Sequence, residues 1–268
     1  MSAYSSTHRS GFTISYRKGT ADEAVIAESF EGDILLRHTP EYRIKRDHII
    51  IDVGAHIGCF SLMVAQTLVS GKVYSLEATR ETFELLEENV TQNKIRNVSI
   101  FHLAMAATNG IAKIYHDPQL GNWGNTITKP VSNVVEEVEC ISLESFMRIN
   151  ELQHVDFIKF NCEGAEYEIL MATTAETLSK IGCMLIAYHG YLEQRYSKTQ
   201  LAEHLRKNGF RINWRHKNKD DDSGWMIAYK ANFLQNIQTQ FRTIPLRLRF
   251  FRQMLVRKAR RAIQIIGK

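Results

Sequence analysis

Two short runs of this chain concentrate residue types that do chemistry. The first is Asp52-Val-Gly54-Ala55-His56-Ile-Gly58, fed by three isoleucines. Apolar β-branched residues entering a glycine-punctuated turn read as a buried strand passing into a helix. A dinucleotide site would show GxGxxG, whose glycines admit a pyrophosphate to a helix N-terminus. Here the glycines are four apart and an acid stands two residues before the first. A carboxylate in that place repels a pyrophosphate and suits a ligand that is cationic at that end. S-adenosylmethionine (SAM) has this character: it carries an α-ammonium and a sulfonium, and its own carboxylate can rest near the following helix N-terminus. Asp52 is thus expected to face the amino-acid end of SAM, directly or through water. Gly54 makes the turn and Gly58 lets the helix pack closely, with Ala55 and His56 between them. The bland reading of this run alone is a tight strand–helix turn with an incidental acid.

A second acid removes much of the force of that bland reading. The run VYSLEATR ends its apolar part at Glu77, about twenty residues past the turn, where an acid at the end of a second strand reaches both hydroxyls of a ribose. Ala78 follows it. Leu103 and Ala104, after a third apolar run, lie where an adenine ring would rest; small apolar residues suit a flat ring and ordinary packing equally.

The second chemical run is residues 156–170, DFIKFNCEGAEYEIL. An apolar strand carries Lys159, and an Asn161-Cys-Glu163-Gly-Ala-Glu166 turn opens a helix. With Asp52–Gly58 and Glu77-Ala78, this block makes the stretch from Asp22 to Tyr229 resemble the FkbM-type SAM-dependent methyltransferases. Their pattern is a D-V-G-A-N-x-G turn, an E-P after the second strand and a K-I-D-x-E-G-x-E block. The resemblance implies an α/β class I SAM-methyltransferase fold, Rossmann-like and mostly parallel, with SAM as cofactor. It implies methyl transfer to a hydroxyl of a saccharide, a polyketide or another small metabolite. Three departures stand out: His56 for the family's Asn, Ala78 for its Pro, and Asn161 for its Asp. The first two leave SAM binding intact. The third changes the chemistry, because an asparagine positions a group by hydrogen bonding and neither serves as a base nor readily holds a metal.

Metal-dependent small O-methyltransferases place an acid after the fourth strand and an Asp-Asn pair after the fifth. The corresponding residues here, Asn161 and Tyr188-His189, include no carboxylate, so no metal is expected. Glu163 and Glu166 are read as acids favoured by the start of a helix. For the proton of the acceptor hydroxyl, His189 at the end of LIAYHGY is the first candidate base. Its bland reading is a histidine satisfied at a strand end. Glu163 is the second candidate and His56 the third, although His56 in the turn better suits a bond to the cofactor or to its own loop.

The elements that must position these residues are legible as repeated βα units. Apolar runs His48–Val53, Lys72–Glu77, Val98–Leu103, Phe157–Phe160 and Cys183–Ala187 read as parallel strands. Helical patterns follow at Phe60–Leu68, from Thr79 to Asn93, at Glu163–Leu178, and after the capping box Ser197–Gln200, with Asn208-Gly209 closing the last. Gly110–His116 and Val134–Ile141 read as an antiparallel insertion. Phe210–Arg215 and Trp225–Tyr229 read as a terminal hairpin, which is the plan of SAM-dependent methyltransferases rather than of dinucleotide dehydrogenases. The loop Gly121–Thr126, with Trp123, is a candidate acceptor-site lid or a plain hairpin loop. The division expected is a β-containing cap over 1–45, the SAM-dependent domain over 46–232, and a tail over 233–268. Residues 1–45 are candidates for an acceptor-pocket wall or a homodimer contact.

Composition bounds the rest. The chain has 268 residues, a net charge of +5 and four cysteines without CxxC spacing, read as reduced thiols of a cytoplasmic protein. No secretory leader or membrane-spanning run is visible. Ser223–Lys268 holds ten Lys/Arg and no acid, so residues 1–222, with 24 Lys/Arg against 29 acids, carry −5. On a helical wheel Leu248, Phe251, Leu255, Ala259, Ala262 and Ile266 form an apolar stripe among the tail's basic residues. Such a helix suits an anionic membrane surface at the inner face, an acidic partner, or the protein's own body. Membrane contact would favour a lipid-linked saccharide as acceptor. Two other readings compete. An RNA methyltransferase would use the basic tail, against which stand the acidic body and the lack of an NPPY-type tetrapeptide. An inactive SAM-fold scaffold or sensor would explain Asn161.

Overall fold

A computed structural model describes residues 4–31, 39, 41–115, 135–189, 195–216 and 223–230. The candidate lid Gly121–Thr126 and the tail over 241–268 lie outside the described residues. The chain opens with a hairpin of β1 (Tyr4–Arg9) and β2 (Phe12–Arg17), then α1 (Asp22–Ile26), continued by a π-helical turn over Ala27–Glu31. There follow β3 (Ile49–Val53), α2 (Cys59–Ala65), β4 (Lys72–Glu77), α3 (Arg80–Gln92) and β5 (Val98–His102). An insertion comes next: β6 (Ala104–Ala106), β7 (Gly110–Tyr115), β8 (Val135–Ser142) and α4 (Leu143–Ile149). The chain returns to the main sheet with β9 (Val155–Phe160), α5 (Ala165–Ala172), α6 (Ala175–Ser179), β10 (Ile181–His189) and α7 (Lys198–Lys207). It closes its described part with β11 (Arg211–His216) and β12 (Ser223–Tyr229).

The main sheet has seven strands in the order β11-β12-β10-β9-β3-β4-β5. Neighbours from β10 to β5 are parallel; β12 runs antiparallel to both β10 and β11. The terminal hairpin thus inserts its second strand against the sheet, and this strand order is that of the class I SAM-methyltransferase fold. The central strands alternate between two buried faces, as a doubly covered sheet requires. Ile51, Ile158 and Met184 face one core with α5 and α7, while Ile50, Phe157 and Leu185 face the other with α2. The topology reverses direction between β3 and β9, so their C-terminal ends border the crevice where α/β sheets bind ligands.

Several expected elements differ in detail. The insertion is a three-stranded sheet, in which β8 pairs antiparallel with β7 and also parallel with the short β6. The helix expected over Glu163–Leu178 is two helices. Thr173 leaves helical geometry at ψ 129°, and Thr174 caps α6 by accepting from the Thr177 N–H. Thr79 takes the N-cap position of α3, but its side chain makes no capping bond; the Glu136 carboxylate of β8 accepts the Arg80 N–H instead. The Ser197–Gln200 capping box forms as read. The N-terminal hairpin packs on α3 through Asn89, which is fully buried and bonds both the N–H and the C=O of Ser15.

Candidate active site

Strand β3 delivers the glycine turn to the crevice, and the two glycines do different work. Gly54 has φ +72°, and a Cβ there would sit 2.1 Å from the Asn161 carbonyl oxygen. Only glycine lets β3 and the end of β9 approach so closely. Gly58 has φ +89° and lies against Leu86 of α3, with 2.6 Å from a would-be Cβ to Leu86 Cδ1. One glycine serves the turn and the other the helix contact, as the spacing suggests.

Asp52 is fully buried at the end of β3, and its carboxylate is bonded within the protein. Lys159 Nζ donates to Asp52 Oδ1 at 2.7 Å and to the Gly54 carbonyl at 3.0 Å, and Ser61 Oγ donates to Asp52 Oδ2 at 2.7 Å. Asp52 and Lys159 are register partners across β3 and β9. The physical reason is that neither charge is tolerated alone in the sheet interior, so each neutralises the other. The Phe60 ring lies 5.6 Å from the Lys159 ammonium and completes its surroundings. A lysine inside an apolar strand is the signal in the sequence; naming its partner requires strand register.

Glu77, at the end of β4, is buried and rigidly held. Its Oε2 accepts the His56 N–H at 2.9 Å and its Oε1 accepts the Thr79 N–H at 3.0 Å. Each carboxylate oxygen keeps a further lone pair for a hydroxyl donor. His56 occupies the left-handed region at φ +54°, uncommon for a non-glycine residue, and its Nε2 lies 3.4 Å from Asp22 Oδ1. Ala55 is buried in the same turn. Beside Glu77, the Ala78 carbonyl meets His102 Nε2 at 3.0 Å, and the Leu103 N–H donates to the Glu77 carbonyl at 3.2 Å. Ala104, at the start of β6, is buried. A fixed acid, a glycine turn and small apolar residues therefore meet along the ends of β3, β4 and β5, and this arrangement fits a nucleoside with a free diol.

The ends of β9 and β10 form the other half of the crevice. His189 is nearly buried between two carboxylates: Nδ1 lies 3.0 Å from Glu166 Oε1, and Nε2 lies 3.4 Å from Glu163 Oε2. Glu166 Oε1 also accepts the His189 backbone N–H at 3.2 Å, and its Oε2 accepts the Gly164 N–H at 2.8 Å. Glu163 does not start the helix, contrary to the expectation from its place in the turn. It precedes α5 at φ +48°, uncommon for a non-glycine residue, before Gly164 at φ +98°, and its side chain lies against His189. Glu166 lies in the first turn of α5 as read, but it is His189's partner. Asn161 contributes its backbone: its N–H donates to the Val53 carbonyl at 3.0 Å and its carbonyl abuts Gly54. Burial, and then the Glu166 carboxylate, push the Cys162 thiol well up, so it stays protonated beside Glu166 and is no nucleophile. Among the described residues no group of three His, Cys, Asp or Glu has metal-holding geometry.

A family model described as the methyltransferase FkbM domain matches residues 52–212, more than half of the chain. No curated protein matches significantly. Among solved structures, a precorrin-6y methyltransferase from Geobacter metallireducens aligns at 14% identity and TM-score 0.44, covering 73% of this chain and 88% of that one. TYW2 from M. jannaschii, in complex with AdoMet, aligns at 13% and 0.46, covering 85% and 86%. An rRNA methylase from Streptococcus thermophilus aligns at 10% and 0.44, covering 73% and 94%. At these values the likenesses carry no inference about the acceptor.

Proposed function

The chain belongs to the FkbM methyltransferase domain family and is a SAM-dependent methyltransferase; from that premise we propose that it methylates a hydroxyl oxygen of a saccharide, a lipid-linked saccharide or another small metabolite, with His189 as the base. The observation that carries this reading is the Glu166–His189–Glu163 row at the ends of β9 and β10. SAM would supply the electrophilic methyl group when bound; the turn from Gly54 to Gly58 would hold it, and Glu77 would take its ribose hydroxyls.

The protein's own part is to hold the acceptor and take one proton. In this reading the ring carries its proton on Nδ1 and donates it to Glu166, so that Nε2 takes the acceptor's proton. As the acceptor oxygen forms its new bond to carbon, its proton passes to Nε2. The resulting imidazolium lies between two carboxylates, a charge arrangement that a water-filled site would stabilise far less. Glu163 then receives the proton or holds the cation. Asn161 cannot take the proton, and its difference from the family's Asp leaves the base intact in this reading.

The test is methyl transfer to a panel of saccharides and lipid-linked saccharides. His189→Ala and Glu166→Gln are expected to lower turnover by roughly 10²–10⁴-fold while S-adenosylhomocysteine still binds at wild-type affinity. Full turnover by His189→Ala removes the base assignment. Transfer to RNA alone, with a steep salt dependence, replaces the acceptor class. Binding of residues 241–268 to vesicles containing anionic lipid is the companion measurement for the lipid-linked acceptor.

A further inference from the structure

We propose that the N-terminal segment over Phe12–Asp22, which lies before the residues of the family match, is a working part of the cofactor site, and that Asp22 positions the glycine turn through His56. The inference rests on the SAM reading of that turn. Two independent bridges carry it, and both start in the N-terminal segment and end in residues 56–57.

The first bridge is Asp22. Its carboxylate is fully buried. Oδ2 accepts from the Arg17 backbone N–H at 2.8 Å and from Arg17 Nε at 3.0 Å, and Oδ1 accepts from Arg17 Nη2 at 2.9 Å. Arg17 is fully buried too, and its Nη1 reaches Thr82 Oγ1 of α3 at 3.2 Å. Asp22 Oδ1 also faces His56 Nε2 at 3.4 Å. A bidentate, buried ion pair is a rigid platform, and it presents one oxygen to the imidazole ring. The second bridge is Asn89 of α3. Its Nδ2 donates to the Ile57 carbonyl at 2.8 Å and to the Ser15 carbonyl at 3.0 Å, and its Oδ1 accepts the Ser15 N–H at 2.7 Å.

His56 makes these bridges matter. A left-handed backbone costs a histidine more than an asparagine, whose short side chain bonds locally in that region. The ring contact to Asp22 holds His56 in that conformation, in which its N–H reaches Glu77 Oε2 at 2.9 Å. The chain of cause runs from Asp22 to the His56 ring, to the His56 backbone, to the orientation of the Glu77 carboxylate. Asp22 is a positioning residue, acting on the cofactor's ribose acid without touching the cofactor.

The test is S-adenosylhomocysteine affinity by calorimetry, on the full chain, with melting temperature as the folding control. Asp22→Asn is expected to weaken binding about tenfold in the wild-type background and by less than about twofold in the His56→Asn background, because asparagine holds the turn without help. A merely structural Asp22 gives equal losses in both backgrounds, and that result, or no loss at all, overturns the proposal. His56→Ala and His56→Asn decide the matter without disturbing the Arg17 pair. Alanine is expected to weaken binding about tenfold and asparagine to stay within about threefold of wild type. Equal affinity of the alanine variant and wild type overturns the proposal. No binding by the folded wild type overturns the SAM reading itself, and this inference with it.

Discussion

Strands β3 and β9 carry a partnered acid near each of their two ends, and the two ends are built differently. At the C-terminal end Asp52 and Lys159 are buried, each bonded to the other and to one further group, Ser61 for the acid and the Gly54 carbonyl for the amine. At the N-terminal end Asp156 is a quarter exposed. Its Oδ2 accepts the Ile49 N–H at 2.8 Å, while His48 and His154 lie 3.7 and 3.3 Å from its Oδ1. Tyr42, stacked 4.4 Å from Phe157, hydrogen-bonds His48. The first end is closed to water; the second is partly exposed to it. The first sets backbone geometry for the cofactor turn, and the second ties two strand starts together far along the same strands.

That contrast can be broken most sharply at Lys159. Lys159→Met leaves the Asp52 carboxylate in the sheet with only the Ser61 hydroxyl, and is expected to cost about 3–5 kcal/mol of stability by urea unfolding. Adding Asp52→Asn should return most of the loss, since the cost comes from the uncompensated charge. A cost under about 1 kcal/mol for the single variant would mean that water reaches Asp52, contrary to its burial. Next in size is Glu77→Ala, expected to lower S-adenosylhomocysteine affinity by about 1.5–3 kcal/mol through loss of hydrogen bonds to a charged acceptor. Calorimetry would read this directly, and unchanged affinity removes Glu77 from the cofactor site.

The opposite end should respond weakly. Asp156→Asn is expected to cost about 1 kcal/mol or less, because His154 is solvent-exposed and its pairing is screened. Cofactor affinity should be unchanged, and a fall in affinity would show that the two ends are coupled. The remaining effect is with pH. Burial lowers the His48 pKa from its ordinary 6.5, outweighing the nearby Asp156, and burial lowers His204 as well. As pH falls through 6.5 the unfolded chain takes up these protons first. Stability is therefore full above that pH and declines below it, by at most about 1.4 kcal/mol per pH unit for each histidine. Urea midpoints at pH 7.5 and 5.5 check the sign; a rise in stability on acidification would refute it.

The fold is largely readable because its signals are local. Ile49–Val53 and Lys72–Glu77 announce buried strands by composition, Ser197 and Gln200 announce a helix start three residues apart, and the charged turn after Arg215 announces a hairpin. The break at Thr173-Thr174 is not readable, since apolar residues continue on both sides of it; Thr173 leaves helical geometry and Thr174 caps α6. In the site, the glycines, Glu77 and His189 are visible by type and spacing. Their partners are not. Type and spacing say nothing of the Lys159 ammonium that meets Asp52, nor of the His189 ring that meets Glu166 in the first turn of α5.

By itself, then, the sequence determined the order of elements, the glycine turn, the acid at the end of β4 and the histidine at the end of β10. These follow from hydrophobic period and backbone freedom within a few residues. Only the tertiary structure decided which charge faces which. Asp52 and Lys159 are 107 positions apart in sequence, and Asp22 reaches His56 across the N-terminal segment. Such pairs are chosen by strand register and by the cost of leaving a charge unpaired away from water, neither of which leaves a mark in neighbouring residues.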